Sequence, residues 1–236
     1  MSNDKSARAP FSRPELRPNC GSLRLRIEFF LVSLFASILD RKAKRRLKGG
    51  RYAILKHLPK HLSGVEIGVW KGEFSVALNH FLAPRELTLV DPWILPDSGK
   101  IVFPRAKSGQ AIGVENHAIE KQTDADQVFE YVKNRFASFK HIRVWRSTSV
   151  EAARRFEENT LDWIYVDGSH YYEDVRDDLG AWLPKIKNEG YIVGDDYYWK
   201  NPAGEYSVKR AVDEFVAQHQ FKNWVVFRGQ FLIQVH

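Results

Sequence analysis

A chain of 236 residues with 44% hydrophobic and 28% charged content is an ordinary globular protein, long enough to bury one large core. One cysteine, Cys20, excludes an internal disulfide framework and a multi-cysteine metal site. The net charge of +7 is unevenly placed: residues 1–60 hold 15 Lys and Arg against 4 Asp and Glu, so the remainder is net acidic, which argues against a nucleic-acid channel through the main body.

Residues 1–22 are rich in Pro, Ser, Asn and Arg and read as a disordered tail. Residues 23–51 read as an apolar and basic helical arm, with LRIEFFLVSLFASILD (25–40) followed by RKAKRRLK (41–48). The apolar stretch is short and punctuated by Arg26, Glu28 and Asp40, so it is not expected to span a membrane, and no small-residue cleavage site follows it. Two readings stay open for the arm: packing on the domain or on a second copy in a homo-oligomer, or peripheral contact with an anionic membrane surface. The expected location is cytoplasmic, with that membrane contact as the alternative.

From residue 52 to residue 236 strands and helices alternate. GVEIGV (64–69) is a strand closed by glycine, EFSVALNHFL (73–82) a helix, and ELTLVD (86–91) a strand ending in a carboxylate. A long loop at 93–123 interrupts the pattern; with Trp93, Ile101, Phe103 and Arg105 it reads either as a lid over an acceptor or as an ordinary insertion. Then come a helix over 124–139, a strand at 141–145, a helix over 149–158 capped by Ser147 or Ser149, and the strand LDWIYVD (161–167). A helix follows with Val175, Leu179, Trp182, Leu183 and Ile186 in phase before or just beyond the break at Pro184. Strand GYIVGDD (190–196), helix SVKRAVDEFVAQH (207–219) and a closing hairpin of NWVVF and FLIQV around Arg228, Gly229 and Gln230 complete the chain. The pattern predicts an α/β fold, a doubly wound and mostly parallel sheet with helices on both faces and an antiparallel final hairpin.

Ligands in such sheets bind beyond the carboxyl ends of the strands, near the switch in strand order. There the strands of this chain run into Gly68 and Gly72, Asp91, Ser147 and Thr148, Asp167 and His170, and Asp195 and Asp196. A single carboxylate at a strand end serves as a helix cap or turn former, but four leaving one edge suggest a site. Glu66, Gly68 and Gly72 stand in the spacing ExGxxxG, which differs from the GxGxxG of dinucleotide enzymes. A pyrophosphate would be served poorly by Glu66, whereas a ligand with a cationic end has no such conflict. Asp91, at the end of the second strand, suits a pair of ribose hydroxyls.

The segments GVEIGVWKGEFS, LTLVDPW and VDGSHYYEDVRDDLGAWLPKIKNEGYIVGDDYY resemble class I S-adenosylmethionine-dependent methyltransferases, in particular the branch of macrolide-sugar and aminocoumarin-sugar O-methyltransferases. The resemblance spans residues 52–236 and implies a seven-stranded Rossmann-like sheet. It implies that Glu66, Gly68 and Gly72 underlie the methionine portion, that Asp91 holds the ribose, and that Ser147, Thr148 and Ser149 flank the adenine, with Thr148 where many relatives carry an acid. It also implies a divalent ion, usually Mg²⁺, on Asp167, Asp195 and Asp196, with His170 as general base. Elementary chemistry agrees: three carboxylates on neighbouring strands would share a hard cation and would repel one another without it. His170 would titrate near neutrality as base, or Tyr171, Tyr172 and Tyr198 would orient the acceptor instead. The expected reaction moves a methyl group to a hydroxyl of a small acceptor, such as a sugar-bearing metabolite. The alternatives are a metal-independent methyltransferase, and a non-catalytic scaffold of the same fold acting through the basic arm.

Overall fold

The computed structural model describes residues 50–94 and 122–236. The tail, the arm up to residue 49 and the loop segment 95–121 lie outside the described residues. The elements in chain order are α1 (Gly50–Leu55), β1 (Ser63–Ile67), α2 (Glu73–Leu82), β2 (Glu86–Asp91), α3 (Gln122–Phe136), β3 (Ile142–Arg146) and α4 (Ser149–Ala153). There follow β4 (Leu161–Val166), α5 (Tyr172–Trp182), a 3₁₀ turn (Leu183–Lys185), β5 (Ile186–Gly194), α6 (Ser207–His219), β6 (Trp224–Phe227) and β7 (Gln230–Gln234). Among the described residues no helix is long and apolar enough to cross a membrane.

Seven strands form one sheet in the order β3-β2-β1-β4-β5-β7-β6, parallel except for β7, which runs antiparallel to both its neighbours. The β6–β7 hairpin turns on Arg228 and Gly229, both at positive φ (51° and 84°), and so matches the twist of its strands. Gln230, read from the sequence as part of the turn, is the first residue of β7 and is buried.

Period-two alternation sorts the buried strand residues onto two faces. Val65, Ile67, Ile164, Val166, Ile192, Phe231 and Ile233 pack with Val175, Leu179 and Trp182 of α5 and with Val208, Val212 and Phe215 of α6. On the opposite face Leu87, Leu89, Trp163, Tyr165, Val193 and Leu232 pack with Ile54 and Leu55 of α1, Leu78 and Leu82 of α2, and Val132 and Phe136 of α3. Each such side chain withdrawn from water contributes about 1.5–3 kcal/mol. β4 is buried throughout because both faces are covered.

Three boundaries differ from the sequence reading. Helix α4 stops at Ala153 rather than 158, since Phe156 turns in to pack against Trp145 and Trp182. β5 begins at Ile186, ahead of the expected 190, by pairing with Leu161 across an irregularity in register. Trp93, assigned to the loop, is a core residue: it packs on Phe129 with ring centroids 5.1 Å apart, and its indole N–H donates to the Trp70 carbonyl at 2.9 Å.

The chain steps outward from β1 to β2 and β3 and then returns to the other side of β1 as β4. The carboxyl ends of β1 and β4 therefore flank the switch in strand order, the place at which sheets of this kind bind their ligands.

Candidate active site

The turn after β1 is shaped by close approach. Gly68 sits at φ 86°, and a Cβ there would lie 2.1 Å from the Asp167 carbonyl oxygen, so only glycine lets the turn pass this close to β4. Gly72, at φ 70°, leads into α2 beside the Phe136 ring. Asp91 fixes the same turn. Its Oδ2 accepts the amides of Val69 (3.0 Å) and Trp70 (2.9 Å), and its Oδ1 accepts that of Trp93 (2.8 Å). Burial raises its pKa, against which the three amides pull. Three of roughly four acceptor positions on that carboxylate are thus filled from within the chain.

Glu66 points from β1 into the opposite side of the turn and is 0% exposed. Oε2 accepts a short hydrogen bond from the Ser75 hydroxyl, while Oε1 has no protein partner. Burial pushes its pKa up to about 8, so the carboxyl is largely protonated at neutrality. The orphaned oxygen can accept one further hydrogen bond.

The turn after β3 is tied to β2 by the Ser147 amide donating to the Asp91 carbonyl at 3.1 Å. Thr148 is the N-cap of α4 in a reciprocal capping box with Glu151, and hydrogen bonds from Thr148 lower the Glu151 pKa. Ser149 departs from the expected adenine set. Its hydroxyl accepts from the Trp182 indole at 2.8 Å and binds the carboxyl of buried Asp178, so it faces the packing between α4 and α5. Burial raises Asp178 to about 7. Arg146 spans this end of the sheet, donating to the Trp93 carbonyl at 2.9 Å and pairing with Asp126.

Asp167 and Asp195 follow residues paired in register, Val166 and Gly194, and reach the rim at the same level. Asp196 turns beside them at φ 57°. The cation between Asp167 and Asp195 is a side chain: Arg51 from α1 contacts Asp167 Oδ2 at 2.9 Å and makes a short contact with Asp195 Oδ2. Burial opposes the charge on Arg51, but Asp167, Tyr165, Asp195 and Asp196 together raise its pKa. Asp195 Oδ1 accepts the Asp196 amide at 2.8 Å and the Gln230 side-chain amide, and Gln230 Oε1 takes the Tyr165 hydroxyl. Burial first, and Asp167 second, raise the Asp195 pKa.

His170 Nε2 lies 2.9 Å from Asp196 Oδ2 and 4.0 Å from Asp167 Oδ1, without good hydrogen-bond alignment. Burial would lower its pKa, but the two carboxylates outweigh burial and bring it to about 9. That corrects the expectation of a histidine titrating near neutrality. The imidazole packs at a tilt against Trp199 (5.3 Å between centroids), which meets Tyr171 in a T-shaped contact. Tyr171 and Tyr198 are more than half exposed on this rim. Tyr172 is turned toward α6, where its hydroxyl binds Glu214 and Arg210 covers its ring.

The rim tests the fit of a divalent ion. One ligand atom each from Asp167, His170 and Asp196 come within 4.8 Å of one another, so the converging set contains a nitrogen and omits Asp195. Mg²⁺ takes oxygen ligands at about 2.1 Å, which keeps any two donors within about 4.2 Å. With both oxygens of Asp195 taken and a guanidinium on Asp167, the residues as arranged do not fit Mg²⁺ held by Asp167, Asp195 and Asp196.

Three site residues escaped the sequence reading. Arg51 was hidden in a run of basic residues, Gln230 was assigned to a turn, and Trp199 lacked any periodic signal. The Gln that opens the closing strand QFLIQ, just ahead of its apolar run, was the one available clue.

The strand order with its antiparallel β7 is that of the class I methyltransferase fold. A family profile described as a methyltransferase domain matches residues 65–197, more than half of the chain, and the chain belongs to that family. Its fold is similar to that of the O-methyltransferase NovP (21% identity, 77% of this chain and 74% of that one, TM-score 0.51). It is also similar to a SAM-dependent methyltransferase from Aquifex aeolicus (14% identity, 85% and 95%, TM-score 0.52). An uncharacterized protein, y4gI of Sinorhizobium fredii (strain NBRC 101917 / NGR234), is 35% identical over 54 residues, 23% of this chain, and that match spans only 6% of the relative's own length.

Proposed function

We propose that this chain transfers the methyl group of S-adenosylmethionine to a hydroxyl of a small acceptor, with His170 as the base. The observation that carries the reading is the orphaned oxygen of buried Glu66, which waits beneath the Gly68 turn for the ligand's ammonium. Gly68 and Gly72 then underlie the methionine portion, and Asp91 offers its remaining acceptor position to the ribose. Ser147 and Thr148 lie beside the adenine, with Ser149 acting only through the fold. The sulfonium needs no further activation. The acceptor oxygen attacks the methyl carbon, the C–O bond forms as the C–S bond breaks, S-adenosylhomocysteine leaves, and the hydroxyl proton passes to neutral His170. Trp199, Tyr171 and Tyr198 offer aromatic faces on which a sugar or ring-bearing acceptor can lie. The O-methyltransferase named among the similar folds supports a hydroxyl acceptor.

The deciding experiment has two parts. Calorimetric titration with S-adenosylmethionine should show micromolar binding, and none at millimolar concentration would favour a scaffold. Transfer of labelled methyl to a panel of glycosides and phenols should rise with pH toward about 9, following deprotonation of His170. His170→Ala should flatten that profile, and an unaltered profile would reassign the base.

A further inference from the structure

The acidic rim contains a guanidinium in the place where the family resemblance puts a divalent ion. Arg51 Nη1 lies 2.9 Å from Asp167 Oδ2 and Nη2 pairs with Asp195 Oδ2, so one guanidinium joins the ends of β4 and β5. The guanidinium carbon lies 5.2 Å from the centroid of the Phe74 ring, and Phe74 rests on Tyr165 at 4.5 Å. The seat extends beyond the guanidinium: the Tyr165 hydroxyl fixes Gln230, and Gln230 with the Asp196 amide fixes Asp195 Oδ1.

The side chain of Arg51 is only 22% exposed, although it belongs to the first turn of a short helix. Helix α1 is itself held by Ile54 and Leu55, both buried against the sheet, which fixes the backbone from which the guanidinium reaches the rim. A second cation at the same carboxylates would face a fixed like charge a few ångströms away, in surroundings with little water to screen it.

We propose that Arg51 is the resident cation of this site, a positioning residue that holds Asp167 and Asp195 together and takes the divalent ion's place. Arginine suits the task because its charge is permanent and its several N–H groups can face two carboxylates at once. It offers no open coordination positions, so the acceptor need not present a pair of vicinal hydroxyls. A single hydroxyl oriented by Asp196, His170 and the aromatic rim suffices. The functional meaning rests on the methyl-transfer reading above, whereas ion binding is measured without any substrate.

The test titrates the full-length chain with Mn²⁺, following free Mn²⁺ by electron paramagnetic resonance. Wild type and Arg51→Lys should bind more weakly than millimolar, and Arg51→Gln should bind about tenfold or more tightly than wild type. Micromolar Mn²⁺ binding by wild type, or equal affinity in wild type and Arg51→Gln, would overturn the proposal. Should Arg51→Gln not fold, the wild-type titration still decides, together with the Arg51 side-chain N–H resonance. An exchange-protected signal that excess Mg²⁺ leaves in place supports the proposal, and a signal that Mg²⁺ displaces refutes it. Failure to bind S-adenosylmethionine in parallel calorimetry would sink the proposed function while leaving the ion result standing.

Discussion

Replacing Glu66 by Gln tests the donor seat at the level of single protons. The substitution keeps the shape and an acceptor for the Ser75 hydroxyl but removes the capacity to ionise. With a pKa of about 8, Glu66 is about 90% protonated at pH 7 in the free protein. An ammonium placed against it holds it ionised, so binding must expel about 0.9 proton. The ligand's own amine, with an ordinary pKa of about 7.8, takes up about 0.1, leaving a net release of about 0.8 proton. Calorimetry at pH 7 in buffers of different ionisation enthalpy reads this number directly. Glu66→Gln should bring the release to zero or slightly below. It should also weaken binding by roughly 10- to 150-fold, the loss of one charge-assisted contact worth about 1.5–3 kcal/mol. The free variant should remain folded. Because the folded pKa lies above the ordinary 4.5, the native state holds its proton longer than the unfolded chain, and wild-type stability falls as pH rises from about 4.5 to 8. Gln escapes that penalty, which is at most about 5 kcal/mol above pH 8. Binding enthalpies in wild type that do not depend on the buffer would refute the reasoning, since they would mean that Glu66 never meets the cation.

Two further outcomes follow from the same packing. Gly68→Ala places a methyl 2.1 Å from the Asp167 carbonyl at a φ of 86°, so it should cost about 3 kcal/mol or more in chemical denaturation and abolish donor binding; a variant of wild-type stability would mean that the turn can shift aside. Asp178→Asn should raise the melting temperature at pH 8 and have little effect at pH 4, because the buried Asp178, raised to about 7, loses native stability between about pH 4 and 7, by at most about 4 kcal/mol. Equal melting curves for wild type and variant at pH 8 would show the carboxyl to be better solvated than its position implies.

Much of the scaffold was legible before any coordinates. The apolar run of LDWIYV announces a strand covered on both faces, and the ExGxxxG turn announces a close approach that Gly68 then makes against Asp167. The helical phase of Val208, Val212 and Phe215 is the face that α6 buries. These are local features: backbone conformation and side-chain periodicity act over a few residues, so the sequence carries them directly. The placement of Asp91, Asp167, Asp195 and Asp196 on one rim followed as well, because parallel strands deliver their carboxyl ends to the same edge. What those carboxylates touch did not follow. That Asp91 is occupied by three backbone amides, that His170 is flanked by two acids, and that Arg51 lies between Asp167 and Asp195 are meetings of residues far apart in the chain. Arg51 and Asp195 are separated by most of the domain, and only the docking of α1 against β7 and α2 brings guanidinium to carboxylate. Charge state is decided by such neighbours and by burial, both properties of the packed molecule. The order of residues therefore determined the sheet and the location of the site, and the tertiary contacts alone decided which groups in it are charged and which cation they share.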